Sequence, residues 1–378
     1  QLFKNMGGFI FKDVTAKTKV GDTGWGQALT HTDINMDGWQ DLIVGNDFGV
    51  NRYYINQKGN YFTDRSVELK TAKPSYTMNV SVADLNRDLI PDIYISNIVT
   101  MNKDQKYVLP NDETTMEFNA NKLAEMRVVE ANDLFLSSIG NDKKIKYQHS
   151  DVVGRGYSST GWSWDADFFD ADLDGDDDLY VLNGMNEFNL YSNKNPYYTD
   201  PQNNKMAKIH IPVSTKESNV FFLNIKGKLQ NISSQSGLDL LGNSRSAAYL
   251  DYDNDGDLDV ILNNYHEKAY FYKNNADRLN NNWIKIRVLG DPEKGVNRDA
   301  IGTKIVVSSD QGHQIWREVH GSTGYLSVHP KIQHFGIGKS TQVTVYVYWS
   351  NGHKNKIEKV PVNKSYMIDL KNNEFSLF

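Results

Sequence analysis

The sequence predicts an all-β protein, a β-propeller followed by a small β-sandwich, on three observations. One acidic nine-residue pattern occurs four times, and each copy runs directly into a short apolar strand. The copies start at residues 33, 84, 170 and 251, at intervals of 51, 86 and 81, and an interval near 50 residues matches a propeller blade of four antiparallel strands. From about residue 283 the pattern stops, and alternating strands separated by Gly- and Asn-rich turns take over.

The bulk composition narrows the field. A chain of 378 residues with 39% hydrophobic and 12% aromatic content can bury a sizeable core, and its length suggests two or three domains. The formal net charge is −6, with no basic stripe to neutralise phosphates, which sets nucleic-acid binding aside. Cysteine is absent, so neither disulfides nor thiolate-held zinc can staple the fold. No apolar run approaches the 18 residues of a helical membrane span, and no signal-peptide pattern stands at the start. The opening QLFKN has the pattern of a strand already under way, so sequence upstream is expected.

The four loops are D-I-N-M-D-G-W-Q-D at 33–41, D-L-N-R-D-L-I-P-D at 84–92, D-A-D-L-D-G-D-D-D at 170–178 and D-Y-D-N-D-G-D-L-D at 251–259. Positions 1, 3, 5 and 9 carry Asp33, Asn35, Asp37 and Asp41; Asp84, Asn86, Asp88 and Asp92; Asp170, Asp172, Asp174 and Asp178; and Asp251, Asp253, Asp255 and Asp259. Alternate oxygen-bearing side chains in a tight loop converge on one point, which suits the six to eight oxygen ligands of Ca²⁺ better than the rigid octahedron of Mg²⁺. Position 7 is expected to add a backbone carbonyl, from Trp39, Ile90, Asp176 and Asp257. Position 6 is Gly38, Gly175 and Gly256 where the turn favours positive φ, but Leu89 in the second loop, where the left-handed region is costly.

These loops are not EF-hands, because position 12 holds Val44, Ile95, Val181 and Leu262 rather than Glu. The position 9 carboxylate is expected to take the bidentate role. Position 14 is Asn in every copy: Asn46, Asn97, Asn183 and Asn264. Asp, Asn and Gly populate ordinary turns, but four copies in register with the same downstream strand favour three to four calcium sites. The third and fourth loops, all carboxylate, are expected to bind most tightly.

Strand pairs between the loops, such as RYYIN with YFTDRS and NVFFLNI with KLQNISS, supply the outer strands of each blade. QLFKN and FIFKDVT form the same pair at the start, the tail of a further unit. Two insertions explain the longer intervals: a helix-forming stretch at about 98–131 and a polar, Pro-containing stretch at about 184–217. Residues 1–278 so organised resemble the FG-GAP/VCBS repeat family. The resemblance implies a calcium-binding, extracellular propeller used in adhesion and ligand binding, with its circle completed upstream.

In residues 279–378 the strands are WIKIRVLG, KIVVSS, IWREVHG, QVTVYVYWS and YMIDL. Asn297 with Ala300-Ile301-Gly302, Arg317-Glu318, Gly321 with Gly324-Tyr325-Leu326-Ser327, Phe335-Gly336-Ile337-Gly338 and Trp349-Ser350-Asn351-Gly352 resemble the ASPIC/UnbV domain of bacterial proteins and of cartilage acidic proteins. That resemblance supplies a sandwich but no activity. The cysteine-free, Asn- and Lys-rich composition looks bacterial.

For function, the sequence favours a secreted or cell-surface module that binds a glycan or protein partner, calcium being structural. Calcium is millimolar outside cells and scarce in the cytosol, so sites of modest affinity fill only outside. No catalytic residues are assigned: no nucleophile elbow, P-loop or dinucleotide motif occurs. The alternatives are a calcium-dependent polysaccharide lyase or hydrolase, and a structural spacer of a larger surface protein. Trp25, Trp162 and Trp164 precede acidic loops, where they either stack on sugars or fill space between blades. Tyr197 and Tyr198 are the better exposed candidates. His313, His320, His329 and His334 match no metal-ligand spacing and are expected on the surface or in turns.

Overall fold

The computed structural model describes residues 1–72, 74–98, 132–150, 160–184 and 216–378. The two expected insertions, and Tyr197 and Tyr198 with them, lie outside the described residues apart from their outermost positions.

Four blades follow one another in chain order. The first is built from Trp25–Thr32, Asp41–Val50, Arg52–Asn56 and Phe62–Asp64. The second has Pro74–Ala83, Asp92–Asn97, Asp133–Ile139 and Ile145–His149. The third has Ser163–Phe169, Asp178–Asn183, Val220–Asn224 and Leu229–Asn231. The fourth has Ser244–Leu250, Asp259–Asn264 and Tyr270–Tyr272. Neighbouring strands within a blade are antiparallel, and the second strand of the first blade also pairs with the inner strand of the second, from Asp47↔Tyr76 to Val50↔Pro74. Strands Phe3–Asn5 and Phe11–Asp13 form a separate two-stranded hairpin, the expected pair at the start of the chain.

Blades pack face to face, so each second strand is apolar on both sides. One cluster joins Ile43, Tyr53 and Ile93 across the first two blades, another joins Tyr94 and Leu134 to Leu179 and Phe222, and a third joins Tyr180 and Phe221 to Tyr249 and Leu262. Ile43, Tyr94 and Tyr180, at position 11 of their repeats, are wholly buried, whereas Ile261 at the same place in the last blade is 41% exposed.

Each inner strand carries one irregularity at the same place, at Gly26/Ala28, Thr77/Asn79, Ser163/Asp165 and Ser244/Ser246. A bulge there adds twist and re-aims the flanking side chains. Beside it runs a latch between blades that explains the repeated Asn. The hydroxyls of Ser163 and Ser244 donate to Asn183 and Asn264, position 14 of their own blades, at 2.8 Å. Thr77 makes the longer equivalent bond to Asn97, 3.4 Å. Those three hydroxyls accept from Asn51, Asn132 and Asn219 of the preceding blade at 2.9–3.0 Å. The first blade has Gly26 in the equivalent place.

The C-terminal module is two four-stranded sheets. One is Gln333–Gly338, Asn282–Leu289, Lys364–Asp369 and Glu374–Leu377; the other is Gln314–Glu318, Lys304–Ser309, Gln342–Tyr348 and Lys354–Pro361. Ile284, Ile286, Ile305, Val307, Phe335, Val345 and Val347 fill the space between them with almost no exposure. Gln333–Gly338, which holds the Phe-Gly-Ile-Gly motif, is a core strand that alternation alone did not reveal.

Candidate metal centres

The four acidic loops share one backbone design. Position 9 is a staple: Asp41, Asp92, Asp178 and Asp259 each accept from the position 2 amide (Ile34, Leu85, Ala171, Tyr252) at 2.8–3.1 Å. Their other oxygens accept from the third strand (Asn56, Ser137, Asn224) or, in the fourth blade, from Asn274 just past it, at 2.6–2.8 Å. Position 1 turns back on the loop, so Asp33, Asp84, Asp170 and Asp251 accept from the position 6 amides Gly38, Leu89, Gly175 and Gly256. The position 5 carboxylates Asp37, Asp88, Asp174 and Asp255 accept from the position 7 amides Trp39, Ile90, Asp176 and Asp257.

Position 6 has positive φ in all four: Gly38 at 89°, Gly175 at 90°, Gly256 at 103° and Leu89 at 66°. Position 4 is left-handed as well, at Met36 (59°), Arg87 (58°), Leu173 (63°) and Asn254 (61°). Those four side chains share no chemistry, which is why the pattern did not announce them. Non-glycine residues held there cost about 1–3 kcal/mol each, so something must repay the strain.

The carboxylates are set for a cation. Oxygens of Asp170, Asp172 and Asp178 lie within 4.8 Å of one another, as do those of Asp251, Asp253 and Asp255. A third set, Asp255, Asp257 and Asp277, includes Asp277 from the turn after the last blade, which the repeat pattern did not contain. Asp170 Oδ1, Asp251 Oδ1 and Asp257 Oδ1 are buried without a hydrogen-bond partner. Burial pushes Asp41 and Asp92 up to about 7 and Asp84 and Asp174 up to about 6. It holds Asp170 and Asp178 well above the usual carboxylate range, with neighbouring carboxylates adding to the effect. In the first two loops the amides of Asn35 and Asn86 reach the carboxylates of Asp37 and Asp88 at 3.0 and 3.2 Å. The convergent oxygens of the third and fourth loops fit Ca²⁺, an ion that would bind them and cancel their mutual repulsion, and the first two loops share the backbone design.

The loop face is covered by the sandwich. Gln40 of the first loop hydrogen-bonds Glu318, and Lys304 donates to Leu89 O of the second at 3.1 Å. Arg317 pairs with Asp177 of the third at 2.7 Å, and Lys285 with Asp251 of the fourth at 2.6 Å. Close approach is built in. A Cβ on Gly175 would fall 2.7 Å from Ile315, one on Gly256 within 1.7 Å of the Trp283 indole, and one on Gly336 within 2.1 Å of Asp170. The segment between Glu318 and Gln333 reaches the inner strands: Tyr325 N donates to Asp165 at 2.9 Å, and His329 Nε2 sits 3.0 Å from Asp167. Beside it is a cavity of about 440 Å³ lined by all four inner strands and the sandwich.

The expectation of surface or turn positions holds for His313, while His334 corrects it as a buried strand residue and His320 and His329 are half-buried outside the strands. His334 is buried against Gly256 O at 2.7 Å, His329 faces Asp167, and His320 packs at 4.7 Å on His31. Only His313 is exposed among the four. Trp164 is buried, its indole donating to Gly184 O and its face covered by Arg245, so it fills space as the second alternative had it; Trp25 is 45% exposed.

Fold and loops together define a propeller of acidic-loop blades capped by a β-sandwich. Residues 33–95 match the FG-GAP-like repeat and residues 293–374 match ASPIC and UnbV, so the chain combines the two units its motifs resemble. It is a relative of cartilage acidic protein 1: the Mus musculus protein is 22% identical over 345 residues, 90% of this chain and 44% of that protein. Integrin alpha-7 of Rattus norvegicus is 36% identical over 85 residues, 19% of this chain and 7% of its own. The chain thus spans less than half the length of these relatives. Among solved structures, the rhamnogalacturonan lyase YesW overlaps 96% of this chain and 66% of its own at 14% identity and a TM-score of 0.31.

Proposed function

We propose that this chain is a calcium-stabilised extracellular adhesion module whose acidic loops, filled by Ca²⁺, form the seat of the C-terminal sandwich. One observation carries the reading: all four loops hold the same strained backbone and each touches the sandwich, with the carboxylates of the third and fourth drawn together. The ligands are the side chains at positions 1, 3, 5 and 9 with the position 7 carbonyls. The third loop is the best site: its ligand carboxylates converge and Asp170 Oδ1 has no other partner, whereas in the fourth loop Lys285 and Lys273 already pair with ligand carboxylates.

Calcium therefore fixes how the sandwich sits on the blades. Because the sandwich occupies the loop face, the partner, a glycan or a protein at a cell surface, is met by the remaining surfaces. The FG-GAP-like match and the similarity to integrin alpha-7 support a protein partner and an extracellular setting.

The test is limited proteolysis across residues 273–283, between the last blade and the sandwich, with and without calcium. It is paired with capture of surface proteins and glycans on immobilised chain. Protection and capture that both require calcium support the proposal. Cleavage and capture that ignore calcium would sink it.

A further inference from the structure

We infer that His31, Glu318 and His320 form a binding site for one divalent transition-metal ion of the zinc class, bolting the sandwich to the first blade. This goes beyond the calcium reading, since it uses none of the acidic-loop ligands and a different kind of donor.

His31 lies on the inner strand of the first blade. Glu318 ends the sandwich strand Gln314–Glu318, and His320 follows two residues later, after Val319 has continued the pairing with Thr303. One ligand atom of each lies within 4.8 Å of the others, and His320 Nε2 is 3.9 Å from Glu318 Oε2. Ligand bonds of about 2.0–2.1 Å need the set to contract by about an ångström. Two imidazoles with one carboxylate suit zinc and its neighbours, whereas calcium and magnesium prefer oxygen throughout.

The surrounding bonds leave the right atoms free. Gln40 lies between the two domains' contributions, with Oε1 2.5 Å from His31 Nδ1 and Nε2 on Glu318 Oε1. A carboxylate accepts only from the amide NH₂, so the amide oxygen must face the imidazole. His31 Nδ1 then carries the proton, and its Nε2 keeps a lone pair. That is how a supporting side chain orients a metal-binding histidine. Gly321 N makes only a long contact to that nitrogen, 3.4 Å.

Two further atoms lack partners. Glu318 is 5% exposed and its Oε2 is buried with no hydrogen bond, as is His320 Nδ1. A buried carboxylate oxygen left unpaired is costly, and a cation removes the cost. Both Glu318 and His320 border the cavity, which leaves room for water as a fourth ligand. Gly302, at φ 85°, packs on the Gln40 side chain, where a Cβ would lie 3.1 Å from Cγ.

The full chain, kept in millimolar calcium so that the acidic loops stay filled, is titrated with Co²⁺ as a visible stand-in for zinc. The expected result is one equivalent bound, with the d–d absorption of a nitrogen- and oxygen-ligated ion. His31→Ala and His320→Ala should each abolish the band at stoichiometric metal, and Gln40→Ala should weaken binding by about 10–100-fold. Glu318→Gln, close to isosteric, replaces His320→Ala if that variant does not fold, as judged by its melt. No band in the unaltered protein, or a band that survives both ligand substitutions, overturns the inference. Because calcium is saturating throughout, a failure of the calcium reading would not produce either result.

Discussion

The third and fourth acidic loops match position for position in their ligand residues, yet the structure neutralises them differently. In the third, Arg87 and Arg317 engage Asp176 and Asp177, which are not side-chain ligand positions. Among the described residues no Lys or Arg nitrogen pairs with the side chains of Asp170, Asp172, Asp174 or Asp178. In the fourth, Lys285 is buried against Asp251, and Lys273 reaches both Asp253 and Asp255. The same motif therefore sits in two electrostatic settings, set by side chains 34 residues away in the fourth loop and up to 140 away in the third. A loop already holding ammonium groups gains less from an ion than one holding none.

This comparison can be broken in four ways, the largest effect first. Without calcium, the carboxyls of Asp41, Asp92, Asp170 and Asp178 stay protonated at pH values where the unfolded chain, near 3.9, has lost its protons. The folded state then binds more protons, so stability is present at low pH and is lost as pH rises from about 4 through 7. Urea unfolding in chelator should show this fall, and calcium should flatten or reverse it, because an adjacent cation favours the ionised form. A chelated protein that gains stability over that range would contradict it.

Next is Lys285→Met, which strands Asp251 among other carboxylates. Breaking a buried pair costs about 3–5 kcal/mol, and calcium should restore most of it. An equal loss with and without calcium would mean that the lysine does not substitute for an ion.

Third, Asp172→Asn and Asp253→Asn weaken one loop each. A site at 100 times its dissociation constant contributes about 2.7 kcal/mol. The calcium-induced rise in melting temperature should shrink more for Asp172→Asn, and equal losses would erase the distinction between the loops. The smallest change is Lys273→Ala. Lys273 is 44% exposed, so removing it should tighten calcium binding at the fourth loop by only about threefold, measured by calorimetry.

The loops were legible because their chemistry repeats at fixed spacing: Asp at positions 1, 5 and 9 and Asn at 14 recur four times, and each has a repeated partner. The blades followed from the strands beside them. What escaped has no local signature. Met36, Arg87, Leu173 and Asn254 share a left-handed backbone and nothing else. Gln40 and Glu318 meet across 278 positions, so no window of sequence shows them together. The histidines looked unpatterned because the partner of His320 is His31, on another domain. Spacing rules find ligands on one segment and miss those that a domain interface assembles.

The latch between blades has an evolutionary consequence. Asn51, Asn132 and Asn219 present the same donor, and Thr77, Ser163 and Ser244 the same acceptor, so every joint is interchangeable with every other. A duplicate of the second or third blade arrives carrying both halves of the coupling, and deleting either leaves a matching pair behind. Such a chain can change its number of repeats in a single genetic step, without inventing a new interface.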